Sequence, residues 1–248
     1  MKIAVCGCSF SAPVNKDEYR GTHWSEILAK DLDADLVSLA RQGISNNAIR
    51  LQIVEAIDSR ADLILINSTT PDRIEVPIDM IDDTTKTAPP AGRGYDKQRG
   101  LKNFNYNTGP YSMLSETIFS LIDWPRHPYR LKKPNPNIIE ATKYYASIIY
   151  DQQWKIQCDN WMINSGLWDL HERKISFIYN HWIINHGENN HQMPEWFVDR
   201  YFVPESLNFK HLMHRYYALP GHDPGYHTTL EGQRVIAAEY LKIIKERM

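Results

Sequence analysis

Cysteine is scarce in this chain: only Cys6, Cys8 and Cys158 occur in 248 residues. Cys6 and Cys8 alternate on one strand face and cannot easily pair with each other, Cys158 is far away in sequence, and an odd count predicts reduced thiols in a reducing compartment. No apolar run reaches about 18 residues, which excludes an ordinary membrane-spanning helix. The opening residues are too short and polar a run for a signal peptide, so a soluble, cytoplasmic protein is expected. An excess of one charge is also missing. Lys and Arg number 28 against 30 Asp and Glu, a net charge of −2, which predicts no general attraction to nucleic acid. The basic stretch from Arg126 to Lys133 is local and reads as a solvated loop. No glycine pattern lets a backbone approach phosphates, which disfavours a nucleotide-binding protein. Nor does any Cys or His pair have the short spacing of a structural zinc site; His181, His186 and His191, spaced by five, read as a polar surface loop. No metal or organic cofactor is expected.

What is present is a rhythm. Lys2 to Cys6 is an apolar run too brief for a helix and bounded by glycine, as suits a strand covered on both faces. A helix follows, with Thr22 as N-cap and Trp24, Ile27, Leu28 and Leu32 at helical spacing. Residues 35 to 40 read as a second strand. Ser45 caps a helix with an apolar face of Ile49, Ile53, Ala56 and Ile57, and Asp62 to Asn67 reads as a third strand. Alternation of this kind predicts a three-layer α/β/α fold, a parallel sheet with helices on both faces. The length favours one domain over residues 1 to 248, with an insertion at about 82 to 137, over two domains. Within it, residues 82 to 112 are rich in Pro and Gly and read as a long loop. From Ile138 a helix continues past Trp154 towards Trp161, and Lys174 to Tyr179 reads as another strand. The aromatic-rich segment 177 to 217 suits an acyl or sugar pocket and core packing equally well.

Two short motifs carry the chemistry. Gly7-Cys-Ser9-Phe-Ser11 puts a serine where the first strand stops, and the carboxyl ends of parallel strands are where open α/β sheets hold their ligands. About 215 residues later, Asp223-Pro-Gly-Tyr-His227 precedes a helix through Val235, Ile236, Tyr240 and Ile244. Thr228 and Glu231 have the spacing of a capping box, so His227 stands just before a defined helix start. A serine hydroxyl becomes a nucleophile when an imidazole, with a pKa near 6.5, takes its proton, and an acid fixes the imidazole's tautomer. Ser9, His227 and Asp223 can fill those three roles. Ser11 is the alternative nucleophile and His222 the runner-up base.

These residues resemble the SGNH, or GDSL-like, hydrolases over residues 1 to about 75 and 220 to 245, whose topology is flavodoxin-like. Gly7-Cys-Ser-Phe-Ser looks like the family's first block, with Cys8 in the usual place of aspartate. Arg41-Gln-Gly43-Ile-Ser-Asn46 looks like the second, and the resemblance implies that the backbone N–H groups of Ser9 and Gly43 bind the oxyanion. His227 and Gly232 look like the last. The cysteine opening and the Thr-Thr-Pro-Asp-Arg run resemble SGNH-like proteins encoded by tailed phages. The chain departs from the family in two places. The third-block asparagine is missing, and Ser68-Thr69-Thr70-Pro71-Asp72-Arg73 stands there instead. Asn46, or otherwise Thr69, Asn67 or Arg73, is expected to supply the third oxyanion donor, and Thr69 and Arg73 to meet substrate. Asp223 and His227 are also four apart where the family has three, and the Pro224-Gly225 turn absorbs the extra residue. The resemblance implies a serine ester hydrolase, an esterase or carbohydrate O-deacetylase, that acts on a small-molecule or carbohydrate ester without nucleic acid or membrane partners. The alternative is a catalytically silent module of the same fold that binds a glycan or a protein.

Overall fold

The computed structural model describes residues 1–13, 20–40, 44–69, 71, 74–77, 118–121, 144, 148–181, 193–204, 215–216 and 228–248. Among these, four parallel strands form one sheet: β1 (Lys2–Cys6), β2 (Asp35–Ser38), β3 (Leu63–Asn67) and β6 (Ser176–Asn180). Their order is β2-β1-β3-β6. Chain and space agree with the expected α/β/α architecture, and the order is the one with which flavodoxin-like sheets begin. In register, Val5 lies opposite Ser38 and Leu65, while Asn67 lies opposite Asn180. Beyond β6, Phe202 bridges to Tyr179, and the Val203 N–H donates to the Tyr179 carbonyl at 2.8 Å. Two further strands, β4 (Ile74–Pro77) and β5 (Ile118–Leu121), pair antiparallel in a separate ribbon. The loop expected over residues 82 to 112 lies outside the described residues.

The sheet is covered on both faces because its two central strands carry unbroken apolar runs, Ile3 to Cys6 and Leu63 to Ile66, that are buried at every position. Ala4, Cys6, Ile64, Ile66, Phe177 and Tyr179 point to one side, where α2 (Asn46–Asp58), α3 (Gln152–Glu172) and α4 (Glu195–Tyr201) pack. Ile3, Val5, Leu63, Leu65 and Ile178 point to the other, against α1 (Trp24–Asp31) and α5 (Leu230–Arg247). Period-2 alternation thus divides one run of strand residues between two cores. Of the expected faces, Ile49, Ile53 and Ala56 on α2 and Ile236, Tyr240 and Ile244 on α5 are buried, while Ile57 and Val235 are partly buried against the same cores. Of the aromatic-rich segment, Phe177, Tyr179, Phe197 and Phe202 are core residues, and Tyr201 stacks on Phe177 at 4.2 Å.

Three helix starts differ from expectation. The cap of α1 is His23, not Thr22: its imidazole Nδ1 accepts from the Ser25 N–H at 3.3 Å, and Glu26 reaches back to the His23 N–H at 3.1 Å. The cap of α5 is Thr229, whose hydroxyl accepts from the Gly232 N–H at 3.1 Å, because Thr228 is engaged elsewhere. The third concerns α3, which begins at Gln152, with Asp151 in extended backbone accepting from the Trp154 N–H at 2.7 Å. Helix therefore does not run unbroken from 138 to 161.

His23 makes one prediction. It is wholly buried, and burial pushes its imidazole down to about 3. The unfolded chain takes up that proton near pH 6.5 and the folded chain only near 3, so stability present above about 6.5 is lost progressively as pH falls between those values. His23→Asn keeps a side-chain cap. It should flatten this part of a stability curve measured by urea unfolding from pH 4 to 7. An unchanged slope would assign the acid sensitivity to other groups.

Candidate active site

The topological switch lies between β1 and β3, since the chain leaves β1 for β2 on one side and returns to β3 on the other. Ligands of open α/β sheets sit in the crevice beyond the carboxyl ends of the strands at that point. Ser9 follows β1 there, on a turn closed by a Ser11 N–H to Cys8 carbonyl bond of 2.9 Å. Ser68 and Thr69 follow β3 on the adjoining strand end.

The serine turn is pinned from both faces of the sheet. From α2, the Gln52 side chain accepts from the Gly7 N–H at 2.7 Å and donates back to the Gly7 carbonyl at 3.4 Å. From α1, the Trp24 indole N–H donates to the Phe10 carbonyl at 3.0 Å. Gly7 itself has φ +156°, and a Cβ there would lie 2.5 Å from Ser11 Oγ and 3.2 Å from the Asn67 carbonyl. Only glycine lets the turn fold so tightly over its own Ser11. That packing separates the two serines. Ser11 is fully buried, with an Oγ that has no hydrogen-bond partner, whereas Ser9 keeps 8% exposure. Of the two, the geometry favours Ser9 as the hydroxyl that could meet a substrate.

Gln52 has no counterpart in the sequence reading. Its signal was a polar residue one position from Ile53 on the buried side of α2, but its partner lies 45 residues away. Gln52→Leu leaves a buried N–H and carbonyl of Gly7 without partners, and should cost about 1–3 kcal/mol in urea unfolding. A loss under a few tenths would mean that water replaces the amide.

Asn46, expected as the third oxyanion donor, is engaged by its neighbours. Its two amide hydrogens go to the Thr69 carbonyl at 2.9 Å and an Asp159 carboxylate oxygen at 3.0 Å, and its oxygen accepts from the Thr69 N–H at 2.8 Å. Both amide hydrogens are thus engaged, and Asn46 holds the chain leaving β3. Asp159 in turn pairs with Lys155 one helical turn away, and both are almost fully buried. Tyr179 lies beside this group, hydrogen-bonded to Ser68, and burial raises its phenol well above the usual range.

Two polar groups at the end of β3 are different. The Thr69 hydroxyl and the Asn67 amide nitrogen are buried without a hydrogen-bond partner among the described residues. The Asn67 oxygen is taken: it accepts from the Tyr240 hydroxyl at 2.5 Å, and Tyr240 also receives the Asn180 amide at 3.2 Å. Buried polar groups are nearly always satisfied in native proteins, so two open donors beside the switch point are unusual.

Gly43, Arg73, Asp223 and His227 lie outside the described residues, as does His222. The residue after His227, Thr228, is fully buried at the approach to α5. Gly232, in the first turn of α5, would bring a Cβ to 2.5 Å from the Tyr216 Cβ, so its lack of a side chain is a packing requirement. Among the described residues no cluster of His, Cys, Asp and Glu is arranged to hold a metal ion, and no helix is long and apolar enough to cross a membrane.

No protein-family model matches the chain, and no curated protein does. Among solved structures it is similar to one from Desulfitobacterium hafniense DCB-2 described as a lipolytic protein of the G-D-S-L family. The two share 9% identity, each is covered over 98% of its length, and the TM-score is 0.46.

Proposed function

We propose that the chain is a serine-dependent ester hydrolase of SGNH type. Ser9 attacks an ester carbonyl, His227 takes the serine proton and returns it to the leaving alcohol, and Asp223 orients the imidazole. One observation carries the reading: Ser9, which keeps 8% exposure where Ser11 keeps none, stands at the switch point of a parallel sheet on a turn whose backbone is fixed by Gln52 and Trp24. Such fixation is what a nucleophile needs, because misplacement by about 1 Å can cost on the order of 10²-fold in rate. The backbone N–H groups of Ser9 and Gly43 bind the oxyanion. The third donor is the Thr69 hydroxyl or the Asn67 amide, both open, in place of Asn46. Arg73 holds a polar part of the substrate. An acetyl ester of a carbohydrate or another small acyl ester is the substrate class.

Hydrolysis of p-nitrophenyl acetate, followed from pH 5 to 9, tests this reading. The rate should rise through about pH 6 to 7.5 as His227 becomes neutral. A flat profile over that range would remove histidine as the base. A second reading, a catalytically silent module that binds a glycan or a protein, is favoured by one fact: both amide hydrogens of Asn46 are engaged by the Thr69 carbonyl and Asp159.

A further inference from the structure

The serine motif and the histidine motif are far apart in sequence, yet three buried residues connect them by hydrogen bonds. Trp24 is the hub. Its indole N–H holds the Phe10 carbonyl, next to Ser9, at 3.0 Å. Its backbone N–H, one of the donors left open at the start of α1, goes to the side-chain oxygen of Gln233 on α5 at 2.8 Å. The nitrogen of the same Gln233 amide donates to the Thr228 hydroxyl. Trp24 and Thr228 are fully buried and Gln233 nearly so. The ring of Trp24 stacks on Tyr240, one α5 face away, at 4.8 Å and 15°.

We infer that Gln233 is a positioning residue for the hydrolase reaction: it ties Thr228, the residue that follows His227 in the chain, to the helix that holds the serine turn. A glutamine amide is suited to this because its two ends are chemically opposite: the oxygen can only accept and the nitrogen can only donate. One planar group therefore fixes α1 relative to Thr228, which follows His227 directly in the chain. Trp24 completes the link to Ser9. Hydrophobic packing of α1 on α5 would hold the two helices together but would tolerate sliding; the amide does not. The inference rests on the hydrolase reading and adds residues that touch no substrate.

The test compares Thr228→Val, which has the same shape without the hydroxyl, with Thr228→Ser, which keeps it, in the full-length protein. The measured quantity is the second-order rate of labelling by a fluorophosphonate probe, with the thermal midpoint recorded in parallel. Labelling should fall about 10- to 100-fold in the valine variant and stay within about 3-fold of wild type in the serine variant. Gln233→Met, which keeps the length but can neither accept from Trp24 nor pair with the Thr228 hydroxyl, should slow labelling at least as much as the valine variant and replaces it if that variant does not fold. A folded valine or methionine variant labelled at the wild-type rate overturns the inference while leaving the hydrolase reading intact. So does equal slowing in valine and serine variants, since the hydroxyl would then be irrelevant. A folded wild-type protein that does not react overturns both.

Discussion

Ser9→Ala should abolish ester hydrolysis, with turnover falling by a factor on the order of 10⁶ if a full triad operates. Ser11→Ala should leave activity within a few fold. The two hydroxyls are two residues apart, and only their environments separate them. Ser11 is sealed beneath Gly7 with an Oγ that no group receives, while Ser9 keeps a small exposed surface beyond the end of β1. The same burial gives Ser11→Ala an unusual stability outcome. Removing a buried hydroxyl that makes no hydrogen bond removes a desolvation cost, so the variant should be as stable as wild type or more so. Steady-state rates on p-nitrophenyl acetate, beside urea unfolding of each variant, decide both statements. Loss of activity in Ser11→Ala with wild-type stability would exchange the roles of the two serines.

The second large effect concerns stability. Asp159→Ala removes the partner of an almost fully buried Lys155 and an acceptor of the Asn46 amide. Breaking a buried ion pair from one side leaves an uncompensated charge, and a cost of about 3–5 kcal/mol is expected. Replacing both members, as Lys155→Met with Asp159→Leu, should recover a good part of it, because no charge is then stranded. The single variant should also weaken activity beyond its effect on the folded fraction, since Asn46 holds both backbone groups of Thr69. A single variant within about 1 kcal/mol of wild type would show that the ammonium of Lys155 escapes to water.

The scaffold was legible because its signals are local. Apolar runs at β1 and β3 and the spacing of Ile49, Ile53 and Ala56 are set by strand and helix periods, and the structure keeps them. Caps slipped by one residue where a tertiary bond competes. Thr228 has the right spacing to Glu231, but its hydroxyl is held by Gln233, so the cap passes to Thr229. At α1 the sequence offers Thr22, a common cap, beside His23, an uncommon one; a buried neutral imidazole accepts the bond just as an oxygen would.

The candidate site was only partly legible, for a related reason. Ser9 announces itself by its place after a strand. Gln52, Gln233 and the true role of Asn46 depend on partners 45, 209 and 113 residues away, and no local pattern encodes such pairings. A buried amide on an apolar helix face is the trace they leave in sequence. It marks a residue that must have a partner without saying which.

The central claim is that Ser9 is an activated nucleophile. Its most direct test is to treat the folded protein with a fluorophosphonate probe and locate the adduct by peptide mass spectrometry, since the probe reports an activated serine whatever the natural substrate. One adduct is expected, on Ser9, and it should disappear in Ser9→Ala and in His227→Ala. An adduct on Ser11, or no adduct on folded wild-type protein, would contradict it.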